Sequence, residues 1–335
     1  MNLENPKITV LMPVYNGEKH LKEAIESILN QTFKDFEFLI INDGSTDRSV
    51  EIIESYSDPC IRLVHNEQNL GLITTLNRGF DLCKGEYIAR MDADDISLSI
   101  RLEKQVKFLD SNPDISICSS LIKTFGDINP SVFRYPEDHE SIRSTLLFKN
   151  SIAHPAVMMR NSAIKGLYFD SSFKHAEDYE LWARASKYLK FYNLQEVLLL
   201  YRMHNKQVSQ HHIEEQSASS RKIMLSQLED LGVKPAEEEL ELHQQIGMGK
   251  IQPSKEFVKR AENWMIKLKD INKKTAYYSE PTFSYVIAEQ WFIVCIKASK
   301  LGMWSCRKFF SSPLSKKSNL NLKSKLKLIY RCLKP

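Results

Sequence analysis

Tyr87-Ile88-Ala89-Arg90-Met91-Asp92-Ala93-Asp94-Asp95 is an apolar segment that ends in three carboxylates within four positions. Carboxylates repel one another, so crowding them at the end of a strand costs stability unless a cation or a ligand neutralises them. An acidic helix N-terminus is the folding-only reading of the same residues. The order of elements around the segment favours the first reading.

Residues 7–12 form an apolar strand pattern closed by Pro13, and Leu21, Ala24, Ile25, Ile28 and Leu29 then repeat at helical spacing. Residues 36–41 are a second apolar strand, and Asp43-Gly44-Ser45-Thr46-Asp47 is turn chemistry that caps a helix running to about Tyr56. A third strand at 61–65, a helix at 72–83 and a fourth strand at 86–91 complete a βαβαβαβ order. That order predicts an α/β, Rossmann-like fold, with a mainly parallel central sheet flanked by helices. Ligands of such sheets bind at the carboxyl ends of the strands. Four segments fall there: Pro13-Val14-Tyr15-Asn16, Asn42-Asp43-Gly44-Ser45, residues 66–71 and residues 92–95. They are expected to form one pocket, in which the acidic end of the fourth strand meets a divalent metal and a diphosphate.

After Asp95 the alternation loosens: helical patterns at 98–111, 138–149 and 178–189 are separated by strand-like stretches at 115–119, 157–160 and 191–201. Beyond about Gln207 the sequence turns helical and charged, which places a boundary near 205–215 and divides the chain into residues 1–209 and 210–335. The formal charge of +4 is unevenly spread, since residues 251–335 hold 18 of the 46 Lys+Arg and only 5 of the 42 Asp+Glu. An acidic body with a basic tail predicts that the tail meets an anionic surface. The six cysteines are scattered without metal-like spacing and read as reduced thiols. The first residues lack the basic and apolar regions of a signal peptide, and no segment is apolar enough to span a bilayer. A cytoplasmic protein is expected, if need be peripheral on the inner face of the membrane.

Taken together, Val10-Leu11-Met12-Pro13-Val14-Tyr15-Asn16, Ile40-Ile41-Asn42-Asp43-Gly44-Ser45-Thr46-Asp47, Asn69-Leu70-Gly71, Asp92-Ala93-Asp94-Asp95, His154-Pro155 and Glu177-Asp178-Tyr179-Glu180-Leu181-Trp182 resemble an inverting glycosyltransferase of family 2, with the GT-A fold. The resemblance covers residues 7 to about 209, so that 1–209 is the expected catalytic domain. It implies that Pro13 and Tyr15 wall the nucleotide pocket and that Asp43 bonds the uracil edge. It places Asn69 and Gly71 along the nucleotide cleft, with Arg78 approaching the diphosphate. Asp92 and Ala93 would face the ribose or sugar, and Asp94 would bind Mn²⁺ or Mg²⁺, joined by His204 from a later loop. Asp178 would be the catalytic base, with His154, Glu177 and Trp182 on the acceptor side.

The resemblance implies transfer of a single hexose from a UDP-sugar to a glycan hydroxyl, in surface polysaccharide (O-antigen or capsule) biosynthesis. Where processive members carry Gln-x-x-Arg-Trp, this chain has Tyr201-Arg202-Met203-His204. The acceptor is expected to be lipid-linked, because cations in the tail alternate with Trp291, Phe292, Trp304, Phe309, Phe310, Leu326, Ile329 and Tyr330. No nucleic-acid motif accompanies the charge. The helical region after 210 is expected to serve membrane contact, homo-oligomer formation or acceptor selection. Two other classes fit the same sheet. A nucleotidyltransferase calls for a Gly-rich basic loop after the first strand, where this chain has Pro13-Val14-Tyr15-Asn16-Gly17-Glu18. A non-catalytic nucleotide-sugar-binding protein would need no base at Asp178.

Overall fold

The computed structural model describes residues 5–203, 212–317 and 320–334. The chain forms two compact units, Met1–His139 with Ser151–Gln216, and Glu140–Asn150 with Ser217–Pro335. The boundary expected at 209 thus falls inside the first unit, and residues 140–150 group with the second.

The first unit is built on a nine-stranded sheet. Strands β1 (Ile8–Val14), β2 (Phe36–Asn42), β3 (Ile61–His65) and β4 (Tyr87–Arg90) run parallel in the order β3-β2-β1-β4. They are linked by α1 (Leu21–Leu29), α2 (Ser49–Glu54) and α3 (Leu72–Leu82). Helix α1 buries Leu21, Ala24, Ile25 and Ile28, the apolar stripe of its sequence, in a core shared with Val10, Met12, Phe38 and Ile40. Beyond β4 the sheet turns antiparallel. Strand β8 (Met158–Arg160) pairs antiparallel with both β4 and β6 (Ile117–Gly126), and β9 (Phe191–Met203) lies parallel to β6. Two-residue strands β5 (Ile96–Ser97) and β7 (Val132–Phe133) pair with β9 and β6. Helices α4 (Arg101–Ser111), α6 (Asn161–Ile164) and α7 (Glu177–Ala185) also lie in this unit, whereas α5 (His139–Leu146), but for its first residue, belongs to the second.

Pro13 does not end β1 as expected; the strand runs on to Val14. Leu11 O accepts from Met91 N at 3.0 Å and Val14 O from Asp43 N at 2.8 Å, so odd positions of β1 face β4 and even ones face β2. Pro13 therefore directs its missing N–H past the end of β4, where no ladder bond is lost.

The second unit is helical: most of α8 (Ile213–Leu231), then α9 (Glu237–Gly247), α10 (Lys255–Thr275), α11 (Thr282–Lys297), α12 (Met303–Ser311) and α13 (Leu322–Leu333). Among the described residues no helix is long and apolar enough to cross a membrane. Helix α11 is apolar on nearly every side, so it sits within the core, and Trp291 and Phe309 are fully buried beside Trp264, Met265 and Phe283. These two aromatics belong to the core and not to the interfacial surface expected of the tail.

His243 is a polar tie in this core. Trp264 Nε1 donates to its Nδ1 at 3.0 Å, and its Nε2 lies 2.8 Å from the Leu147 carbonyl oxygen. Nδ1 accepts, so the proton of the neutral ring sits on Nε2. Burial pushes the imidazole pKa down from 6.5 to about 4. As pH falls below 6.5 the unfolded chain takes up a proton that the folded unit refuses until about 4. The contribution of His243 is therefore complete above pH 6.5 and is lost between 6.5 and 4. Over that window the wild type should lose about 3 kcal/mol more of its stability in urea than His243→Gln does.

Candidate active site

The loops at the carboxyl ends of β1 and β2 are stitched together by side chains the sequence supplies in pairs. Asn16, with a left-handed φ of 50°, accepts from Thr46 N at 2.8 Å through Oδ1 and donates its own N–H to Ser45 Oγ at 3.0 Å. Gly17 N donates to Ser49 Oγ at 2.9 Å and Glu18 N to Asp47 Oδ2 at 3.0 Å. Pro13 is buried beneath this lattice, and Tyr15 stands half exposed on it.

Asp43 is buried, and its carboxylate holds the next loop. Oδ1 accepts from Asn66 Nδ2 at 2.6 Å and from Leu70 N at 2.9 Å, and Oδ2 accepts from Gly71 N at 3.0 Å. Gly44, at φ 69°, lies against that loop, where an added Cβ would stand 2.6 Å from Asn69 N. Asn69 Oδ1 also accepts from Gly71 N, at 2.9 Å, just where α3 begins. Asp43, Asn69 and Gly71 are thus one hydrogen-bonded group. Arg78 belongs to its support: the guanidinium donates to the His65 carbonyl at 2.8 Å and to Asn66 Oδ1.

At the end of β4, Asp92, Asp94 and Asp95 each bring a carboxylate oxygen within 4.8 Å of the others. Ala93 between them packs 3.7 Å from the Cβ position of Gly17, which sets the acids beside the β1 loop. Arg90, the buried last residue of β4, pairs with Asp92. Asp95 is fully buried; Oδ1 accepts from Arg202 N at 2.9 Å, whereas Oδ2 has no hydrogen-bond partner among the described residues. Arg202, at the end of β9, also donates from Nε to the Asp94 carbonyl at 2.7 Å and pairs with Glu23 of α1. Beneath the cluster, buried Arg101 donates to the carbonyls of Arg90 at 2.7 Å and Val157 at 3.3 Å, tying β4 to β8. Burial and the Asp94 charge push the Asp92 pKa up against the pull of Arg90. Burial, Asp92 and Asp94 push Asp95 well up.

Asp92 and Asp95 hold protons above the ordinary carboxylate range because they are buried beside other carboxylates. A three-carboxylate set with a buried, unsatisfied oxygen fits a hard divalent cation, Mg²⁺ or Mn²⁺, whose binding would release those protons.

Helix α7 brings in the second acidic group. Glu177 is buried, and burial together with the Asp178 charge pushes its pKa up to about 7. Asp178 is half-buried and accepts from Tyr179 N at 2.7 Å. Burial opposes the charge of Arg90, but the carboxylates of Asp92, Asp95 and Asp178 together hold its pKa raised. Arg90 is therefore the hub between the two acidic groups, a role the sequence reading did not assign. The available signal was a cation at the last position of an otherwise apolar strand. His154 is buried with Nε2 unpartnered among the described residues, tilted at 47° against Phe169 and edge-on to Trp182 at 5.8 Å. Burial and Arg90 hold it neutral. Trp182 is fully buried, so it supports His154 from within the core.

His204 lies outside the described residues. A second cluster of possible ligands, His175, His212 and Glu215, also brings ligand atoms within 4.8 Å. Its imidazoles are stacked 4.1 Å apart at 15°, so their in-plane lone pairs run side by side and do not converge on one ion.

Comparison with known proteins places this arrangement. The profile of Glycosyl transferase family 2 matches residues 9–167. An uncharacterized glycosyltransferase of Haemophilus influenzae is 35% identical over 236 residues, covering 66% of this chain and 73% of that protein. The chain belongs to glycosyl transferase family 2. Among other family 2 relatives, the O-antigen biosynthesis glycosyltransferase WbnJ of Escherichia coli is 36% identical over 207 residues, 59% of this chain and 80% of WbnJ. The fold is that of GT-A glycosyltransferases. Residues 1–349 of S. aureus TarS, solved with UDP, superpose with a TM-score of 0.56 at 17% identity, covering 98% of this chain and 90% of that one. A mannosyltransferase of Pyrobaculum calidifontis, solved with GDP-Man and Mn²⁺, gives 0.55 at 13% identity, covering 98% and 87%. This family 2 enzyme thus carries its acids on a glycosyltransferase scaffold.

Proposed function

We propose that this glycosyltransferase moves a single hexose from a UDP-sugar to a glycan hydroxyl with inversion at the anomeric carbon. The observation that carries the reading is the grouping of Asp92, Asp94 and Asp95 around Arg90, whose charge also meets Asp178. Asp94, with Asp92 and Asp95, would hold Mn²⁺ or Mg²⁺, which when bound neutralises charge on the departing diphosphate. The Asp43–Asn69–Gly71 loop and Tyr15 form the nucleotide side, with Ala93 backing the donor.

A sugar hydroxyl is a weak nucleophile with a high pKa, so a carboxylate must take its proton as the new bond forms. In this reading Asp178 accepts that proton, the acceptor oxygen bonds to the anomeric carbon, and the bond to the diphosphate oxygen breaks with its electron pair leaving on UDP. A single base opposite the leaving group gives in-line displacement and inversion. Glu177 and neutral His154 shape the acceptor side, and the charge of Arg90 links Asp178 to the donor acids.

WbnJ acts in O-antigen biosynthesis and TarS has been solved with UDP-GlcNAc. Those likenesses support a UDP-sugar donor and a surface-polysaccharide acceptor; a lipid-linked acceptor on the cytoplasmic side is part of the proposal and rests on the basic tail. A UDP-release assay across UDP- and GDP-sugars, with Mn²⁺ or with chelator, tests the donor reading. Release from a UDP-sugar only with metal is expected. Release confined to GDP-sugars, or unaffected by chelator, would contradict it.

A further inference from the structure

Helix α13 (Leu322–Leu333) leaves an apolar stripe uncovered. Leu322, Leu326, Tyr330 and Leu333 follow one another at helical spacing and are 71%, 54%, 60% and 62% exposed. The helix itself is well made: Asn321 Oδ1 caps it by accepting from Ser324 N at 2.9 Å, and Leu328 and Cys332 anchor its opposite side in the core. The stripe is therefore a presented surface and not an unravelled end. At 100° per residue, Lys323, Lys327, Arg331 and Lys334 fall along one border of the stripe, and all four are exposed. No Asp or Glu occurs anywhere after Glu289.

We infer that this face docks on an anionic lipid bilayer, with Leu322, Leu326, Tyr330 and Leu333 in the headgroup–acyl boundary and the bordering cations on lipid phosphates. An apolar stripe edged by cations, none of which forms an ion pair among the described residues, is the pattern of an interfacial helix. A second copy of the chain is a poorer occupant, because this helix carries no Asp or Glu to meet a partner's bordering cations. The surface differs from the one read in the sequence: Trp291 and Phe309 lie in the core, and Leu322 and Leu333 take their place. The inference stands on the second unit alone, independent of the donor reading.

The test is flotation of the whole protein with phosphatidylcholine vesicles and with vesicles containing phosphatidylglycerol. The wild type should partition about tenfold more strongly to the anionic vesicles, and added salt should erode the difference. Leu326→Glu with Tyr330→Glu should remove at least about tenfold of that binding while leaving UDP binding unchanged. Both side chains are exposed, and an unchanged melting temperature would show that the variant folds. Lys323→Gln with Lys327→Gln and Arg331→Gln should lose the preference for anionic lipid. Equal binding by wild type and the glutamate variant would overturn the inference. So would indifference to lipid charge, or a dimer that Leu326→Glu disperses without any vesicle binding.

Discussion

Asp178→Asn is expected to lower kcat about 10³-fold while UDP affinity stays within about twofold. Asparagine keeps the shape of the side chain at the start of α7 but has no basicity with which to take the acceptor proton. Removing a general base from a transfer of this kind costs about 10²–10⁴-fold. The proposed nucleotide side rests on Asp43, Asn69 and Gly71, which are joined by hydrogen bonds that do not involve Asp178. Single-turnover kinetics alongside UDP titration separate the two effects. A variant that transfers at near wild-type rate would move the base to another group, with Glu177 beside it in the chain the first to test. A variant that loses UDP binding as well would make Asp178 a structural residue.

Arg90→Met should cost about 3–5 kcal/mol in urea denaturation of the metal-free protein, the loss typical of a buried ion pair stripped of one partner. Arg90 is buried, pairs with Asp92 and is held charged by Asp95 and Asp178 as well. Methionine fills similar volume but leaves the acids to repel one another. Mn²⁺ should then raise the melting temperature of Arg90→Met more than that of the wild type, because the ion answers the charge the guanidinium no longer does. A loss below about 1 kcal/mol, or an equal response to Mn²⁺, would show that the acids do not depend on Arg90.

The parallel half of the sheet was legible because β1, β2 and β4 are buried along their whole length and read as continuous apolar runs, separated by turn residues that also serve as loop hydrogen-bond partners. The four strand ends followed from that order. Less legible were features made by distant pairings. Strands β5 and β7 are two residues each, too short to leave a period, and they exist only by pairing with β9 and β6. Residues 138–149 read as a helix, as His139–Leu146 is, yet nothing local reveals that the chain from Glu140 to Asn150 joins the second unit. Charged residues at strand ends were visible, but their direction was not. Arg78 turns to His65 and Asn66, whereas Arg90 turns to the acids. In the tail, a list of aromatics among lysines does not distinguish Trp291 in a helix apolar all round from Tyr330 on an open stripe. Burial alone separates them.

The most direct test of the carboxylate cluster as the metal–diphosphate site is calorimetric titration of UDP into the protein with and without Mn²⁺, repeated on Asp94→Ala. Binding by the wild type should strengthen at least about tenfold with Mn²⁺, and Asp94→Ala should lose that gain. UDP binding indifferent to both the ion and Asp94 would contradict that assignment.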